Sequence, residues 1–242
     1  MTVVFEAYER KAEPQAIIAR QREVQIPLGE SISIAQEGEK AQRVWDGLVK
    51  HTSLKNARMV SIAFLSGEPG KEMLLWRYFE KIFSQAQPGF YQNMLDDDVY
   101  DLVQMARRVK HEVHRFHGFV RFQKTADGIY FAAIDPDNDI TRLLVSHFKS
   151  RYAGQPWVIY DTGRHYGVYW DTKMVMEVVL DNPAFDKITG KLDQHARAID
   201  QDYYSQLWKA YYDAINIVER QNHRQMKRAM PQRYWKYLPE KE

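Results

Sequence analysis

The chain has no cysteine. A disulfide framework, a thiolate zinc site, an iron–sulfur cluster and a cysteine nucleophile are therefore excluded together. Long apolar runs are also missing. The opening Met1-Thr-Val-Val-Phe5 meets Glu6, too early for a signal peptide, and no later stretch reaches the length that spans a bilayer. A cytoplasmic protein with no membrane partner is the expectation. Neither sign of charge dominates: 34 Lys and Arg stand against 32 Asp and Glu, a net charge of +2 with a pI near 8.5. So mild a balance does not itself imply nucleic acid, and the distribution of charge has to carry that reading. Gly-rich phosphate loops, a nucleophile elbow, HExxH and a dinucleotide fingerprint are all lacking. A self-sufficient NTPase or hydrolase is not expected, and no cofactor is implied.

What is present is the composition of a globular protein, 45% hydrophobic and 27% charged over 242 residues, enough to bury a core without covalent help. The periodicity predicts an α+β chain in three subregions of one compact unit: a helical part over 1–117, an antiparallel sheet with one helix over 118–180, and a C-terminal helix with a basic aromatic tail over 181–242. Val4, Tyr8 and Ala12 begin a helical pattern that Pro14 interrupts. Residues 23–36 read as strand-like or irregular. Helical spacing returns with Val44 and Leu48, then Met59 and Ala63, breaks at Ser66, Gly67 and Pro69, and resumes with Leu74, Tyr78 and Ile82. A further helix is predicted over about 98–116 through Leu102, Ala106, Val109, Val113 and Phe116.

The middle changes period. Phe119–Gln123 and Ile129–Ile134 flank Asp127-Gly128, a hairpin signal, and Trp157–Tyr160 with Tyr166–Trp170 flank Asp161-Thr162-Gly163 as a second. Between them a helix is expected over about 139–152, capped from Asp137, Asn138 and Asp139. Hairpin, helix, hairpin implies one antiparallel sheet with the helix on a face. A last amphipathic helix is predicted over 202–220. From Arg220 to Tyr237 there are six Lys or Arg and no acid, interleaved with His223, Tyr234, Trp235 and Tyr237.

Several long motifs, Glu6-Ala-Tyr-Glu-Arg-Lys11, Phe119-Val-Arg-Phe-Gln-Lys-Thr-Ala-Asp-Gly128, Trp157-Val-Ile-Tyr-Asp161, Arg164 with Tyr166-Gly-Val-Tyr169, Asn222-His-Arg224, Met230-Pro231 and Tyr234-Trp-Lys-Tyr-Leu-Pro239, resemble an uncharacterised bacterial family assigned to DNA metabolism and repair. The likeness covers nearly the whole chain. It implies genomic association with a radical SAM protein and, in some bacteria, fusion to a uracil-DNA-glycosylase-like domain. The start differs from the family pattern, which has a strand-like Tyr-Asp-Gly segment before the first helix, so a possible edge strand is either missing there or misassigned.

Candidate nucleic-acid-binding residues follow from what phosphates and bases require, cations and flat rings. In the tail these are Asn222, His223, Arg224, Lys227, Arg228, Arg233, Tyr234, Trp235 and Lys236, with a packing strap or partner-docking segment as the plainer alternative. On the helix before the sheet, Arg107, His111 and His114 fall at i, i+4 and i+7 beside Arg115. No third ligand accompanies the two histidines, so a basic face is expected there rather than a metal. Arg121, Arg164 and Tyr166 are candidates on the sheet, with Tyr160, Asp161, His165 and Tyr169 nearby. Trp157, Tyr169 and Trp170 are expected in the core under the helix, and His147 as a semi-buried histidine. Asp135, Asp137 and Asp139 suit turn and cap duty better than a cation loop.

Three functions stay open on the sequence. The first is an accessory protein that binds single-stranded or damaged DNA, or a radical SAM or uracil-DNA-glycosylase-type partner. The second is a nucleobase- or phosphodiester-modifying enzyme using Arg121, Asp161, Arg164 and Tyr166, and the third is a pure protein-interaction module.

Overall fold

A computed structural model of the protein describes residues 1–18, 31–84, 89–180, 184–186, 189–199, 205–211 and 223–241. The chain divides into two compact units, Met1–Lys110 and His111–Glu242.

The first unit is helical: α1 (Thr2–Arg10), α2 (Gly38–His51), α3 (Leu54–Phe64), α4 (Lys71–Ser84) and the opening turns of α5 (Asp97–Phe119). Local chemistry fixes the boundaries. Lys11 takes a left-handed conformation, φ 52°, and ends α1 ahead of Pro14. Ser53 caps α3 by accepting the Asn56 N–H at 3.1 Å. Asp96 does the same for α5 through the Val99 N–H. The inward stripe of each helix supplies the core, with Leu48, Val60, Tyr78 and Leu102 fully buried among others. Tyr78 has a partner for its hydroxyl, the buried Asn56 amide at 2.8 Å, and burial pushes the phenol up to about 12. Glu6 is buried too, and it is bonded by Arg10 and Lys40. Of the strand-like stretch expected over 23–36, residues 31–36 carry no regular structure and the rest lies outside the described residues.

The second unit carries a five-stranded sheet in the order β1 (Gln123–Lys124), β2 (Tyr130–Ile134), β3 (Trp157–Asp161), β4 (Tyr166–Trp170), β5 (Val175–Val178). The class is α+β as expected, but the sheet is mixed rather than antiparallel. β2 and β3 pair in parallel from Tyr130↔Trp157 to Ile134↔Asp161, while the other neighbours are antiparallel. The reason is the connection. α6 (Thr141–Arg151) lies between β2 and β3, and a helix returns the chain to the end where the first strand began, which makes the next strand parallel.

The first hairpin is also shorter than its composition suggested. Phe119 belongs to α5, residues 120–122 are in no strand, and β1 is two residues long. Helix packing overrides β-propensity here: Phe116 is buried, and its ring and that of Phe119 both meet Tyr234, with centroids 5.0 and 5.7 Å away. β5 was not foreseen. It follows a turn in which the Asp171 carboxylate accepts the N–H groups of Lys173 and Met174, both at 2.7 Å.

Side-chain alternation divides the sheet faces. Trp157 and Trp170 face α6, where the Trp157 ring meets Phe148 at 6.3 Å and the Trp170 indole donates to Ala153 O at 3.1 Å. Both are buried, as expected. Tyr169 is not with them, because a neighbour in a strand points the other way, and it is half-buried on the opposite face. That face packs Phe131, Ala133 and Tyr160 against Phe185, Leu192 and Tyr237.

Candidate nucleic-acid interface

On this second face the loop after β5 folds back beside the stub of β1. Phe185 bridges Leu192, Thr125 bridges Arg197, and the N–H groups of Ala126 and Ala198 donate to Ala196 O and Lys124 O. Gln123 fixes the loop to the sheet from both sides of its amide, donating to Gly190 O at 2.8 Å and accepting from Leu192 N at 3.0 Å. Gly190 holds φ +70°, and a Cβ there would stand 2.7 Å from the Tyr237 ring and 2.8 Å from Ala133.

The result is a cleft of about 600 Å³, closed on its remaining side by residues 205–209 and 236–239. Arg121, Lys124, Lys191, Arg197, Lys209 and Lys236 line it together with Phe122, Tyr130, Trp208 and Tyr237, and among the described residues no Asp or Glu is in the lining. Cations are thus gathered that sequence scatters over more than a hundred positions. Arg121 donates to Glu240 at 2.7 Å and Lys236 to Asp135 at 3.1 Å. The Arg121 guanidinium lies 5.0 Å over the Trp208 ring and Lys236 4.8 Å over Tyr237. Burial pushes the Glu240 carboxyl up, but the bonds from Arg121 and the Trp208 indole outweigh it and hold it below its usual range. Such a lining can bind anions and stack rings. Among the described residues the lining holds no pair of carboxylates for acid–base work.

The tail does not lie open as its composition suggested. Tyr234 is fully buried rather than free to stack a base, and its hydroxyl donates to Glu112 at 2.8 Å. Burial and that carboxylate together push the phenol well above its ordinary range. Arg233 pairs with Asp137 and donates to the Tyr234 hydroxyl at 2.7 Å. Trp235 bonds Met230 O at 3.0 Å, with the Lys241 ammonium 5.6 Å from its ring. Leu238 is buried completely. Residues 231–241 are therefore a strap, and the apolar share of Tyr-Trp-Lys-Tyr-Leu explains why: with a ring or leucine every few residues, burial outweighs solvation of the cations between them. Arg224, Lys227 and Arg228 behave differently. They are exposed on α7 (His223–Ala229), at i, i+3 and i+4, and among the described residues none has a carboxylate partner. Asn222 and the His223 side chain lie outside the described residues, as does most of the helix predicted over 202–220, of which 205–211 is helical.

On α5, Arg107, His111 and His114 are exposed and Arg115 is half-buried. Among the described residues no group of three His, Asp or Glu could hold a metal. Arg164 and Asp161, expected on an accessible sheet face, are closed on each other. Asp161 is fully buried and accepts from Gly163 N, Arg164 N and the Arg164 guanidinium at 2.9–3.0 Å, and Arg164 also donates to Pro136 O and Asp137 O. Burial raises the Asp161 carboxyl against these donors. Tyr166 donates to Asp139, with Arg142 5.5 Å over its ring. The expected α6 cap does not form. Ile140 is the N-cap with no side-chain bond, because Asp137, Asn138 and Asp139 are committed to Arg233, Glu112 and Tyr166.

Of the residues singled out from the sequence, the cleft brings together Arg121, Lys236 and Tyr237. Sequence reasoning missed Phe122, Lys124, Tyr130, Lys191, Arg197, Trp208 and Lys209. Lys124 stands three residues from Arg121 in an acid-free run and could have been found, whereas 184–199 has no periodicity to place Lys191 and Arg197 beside it. No helix among the described residues is long and apolar enough to cross a membrane.

No curated protein and no solved structure matches the chain. Residues 69–240, more than half of the sequence, match the domain of unknown function DUF4130, and the chain belongs to that family.

Proposed function

We propose that this protein is an accessory factor of DNA metabolism that holds a short single-stranded or damaged segment of nucleic acid in the basic cleft. One observation carries the reading: a concave site whose described lining holds six cations and four aromatic rings and, among the described residues, no carboxylate. Phosphates need the first and unpaired bases the second. A volume of about 600 Å³ suits a nucleotide-sized ligand and not a duplex. The resemblance to a DNA metabolism family supports the pathway, and it supplies the partner, a radical SAM or uracil-DNA-glycosylase-like protein that acts on the strand so held. The exposed Arg224, Lys227 and Arg228 of α7 add sequence-independent attraction for the same polyanion.

The test is fluorescence anisotropy with a labelled twelve-nucleotide oligo(dT). Binding should weaken as salt rises, by a slope of about 0.7 per phosphate neutralised. Lys191→Glu together with Lys209→Glu should reduce affinity by roughly tenfold or more with the fold intact. Binding by the native protein that ignores both salt and these reversals sinks the proposal.

A further inference from the structure

We propose that Arg121 and Trp208 form a seat for one phosphodiester and its neighbouring base, and that the Glu240 carboxylate fills this seat in the unbound protein. The proposal rests on the nucleic-acid reading of the cleft and says where the strand engages it. Three observations carry it. Both donors that face Glu240 belong to cleft-lining residues: Oε1 accepts from Arg121 at 2.7 Å and Oε2 from the Trp208 indole at 2.9 Å. The guanidinium lies 5.0 Å over the indole, so a fork for a phosphate oxygen pair and a flat apolar plane occur at one place. Finally, the remaining bonds of Arg121 are to the neutral carbonyls of Gly118 and Val120, which aim the guanidinium without neutralising it, so its charge is balanced by Glu240.

A carboxylate with two oxygens on a guanidinium and an indole N–H makes the contacts a phosphodiester would make. Its side chain is 1% exposed against 23% for Arg121. It is carried on the turn Pro239–Lys241, just past Leu238, whose complete burial anchors the strap. Glu240 can therefore turn away while Leu238 stays in the core, and a strand entering the cleft exchanges one anion for another.

The experiment compares the native chain with Glu240→Gln, Arg121→Gln and the double variant, using the labelled oligo(dT) over a range of salt. Glu240→Gln keeps the shape but removes the competing charge, and its amide oxygen can accept from only one of the two donors. It should bind roughly three- to tenfold more tightly at low salt, with a salt slope steeper by about 0.7, one additional phosphate. The gain should vanish in the double variant. Unchanged or weaker binding by a folded Glu240→Gln overturns the seat while leaving the cleft reading intact, since the native chain still binds. Loss of native binding at every salt concentration would overturn both. Should Glu240→Gln not fold, Trp208→Phe decides: weaker binding at an unchanged slope supports the seat, and unchanged binding overturns it.

Discussion

Glu112 illustrates how a single side chain organises its surroundings. Buried on α5, it accepts from Asp137 N at 2.8 Å, Asn138 N at 2.9 Å, the Asn138 amide at 2.6 Å and the Tyr234 hydroxyl at 2.8 Å. A carboxylate has about four acceptor sites, and here each has a donor. Glu112→Ala should therefore orphan four donors and cost at least about 3 kcal/mol, since each stranded buried group costs ~1–3 kcal/mol. Tyr234→Phe, which removes one donor, should cost about 1 kcal/mol. Urea denaturation measures both, and a loss below that of Tyr234→Phe in Glu112→Ala would refute this account. None of this was legible in the sequence. Glu112 sits among Arg107, Lys110, His111 and Arg115, and looks like one acid on a basic face because its partners lie 25, 26 and 122 residues away.

At the scale of elements, α5 and α6 meet through stacked imidazoles, His117 and His147, 4.0 Å apart and 9° from parallel. Burial lowers the pKa of His117 below its ordinary 6.5, and His147 and His114 lower it further. The unfolded chain then binds a proton more readily than the folded one. Stability should consequently be complete above pH 6.5, fall as the pH drops through that value, and level off once the folded histidine also protonates. Melting temperature against pH checks this, and His117→Phe should flatten the fall that begins as the pH drops below the ordinary histidine value of 6.5. The loop over the cleft gives a second case. Gly190→Ala must place a methyl against Tyr237 and Ala133 in a left-handed conformation, so a loss of roughly 2 kcal/mol and weaker oligonucleotide binding are expected. Most elements were legible. The helical stripes of α2–α5 and the β3–β4 hairpin are local patterns with local turn signals. The parallel pairing of β2 with β3, the short β1 and the absent α6 cap were not, since each is decided by a contact distant in sequence.

For the whole molecule, the strap of residues 231–241 changes what a truncation would mean. Removing the chain from Pro231 onward deletes Tyr234 and Leu238 from a core and Glu240 from Arg121, so the second unit should lose its cooperative melting rather than survive as a folded protein that cannot bind. Near-ultraviolet circular dichroism distinguishes the two. A folded truncation with native melting would show the strap to be dispensable. The first unit, with its own core from Val4 to Ala106, should keep its helices in the same variant.

The pairing of Tyr234 with Glu112 also has a consequence for biosynthesis. The donor is made 122 residues after the acceptor, and at about 5–20 residues per second the ribosome leaves Glu112 waiting on the order of ten seconds. Throughout that interval Phe116 and Phe119 lack the ring that covers them, and the nascent chain presents to chaperones a greasy patch beside a carboxylate still short of one donor, a vulnerability that ends when the strap arrives.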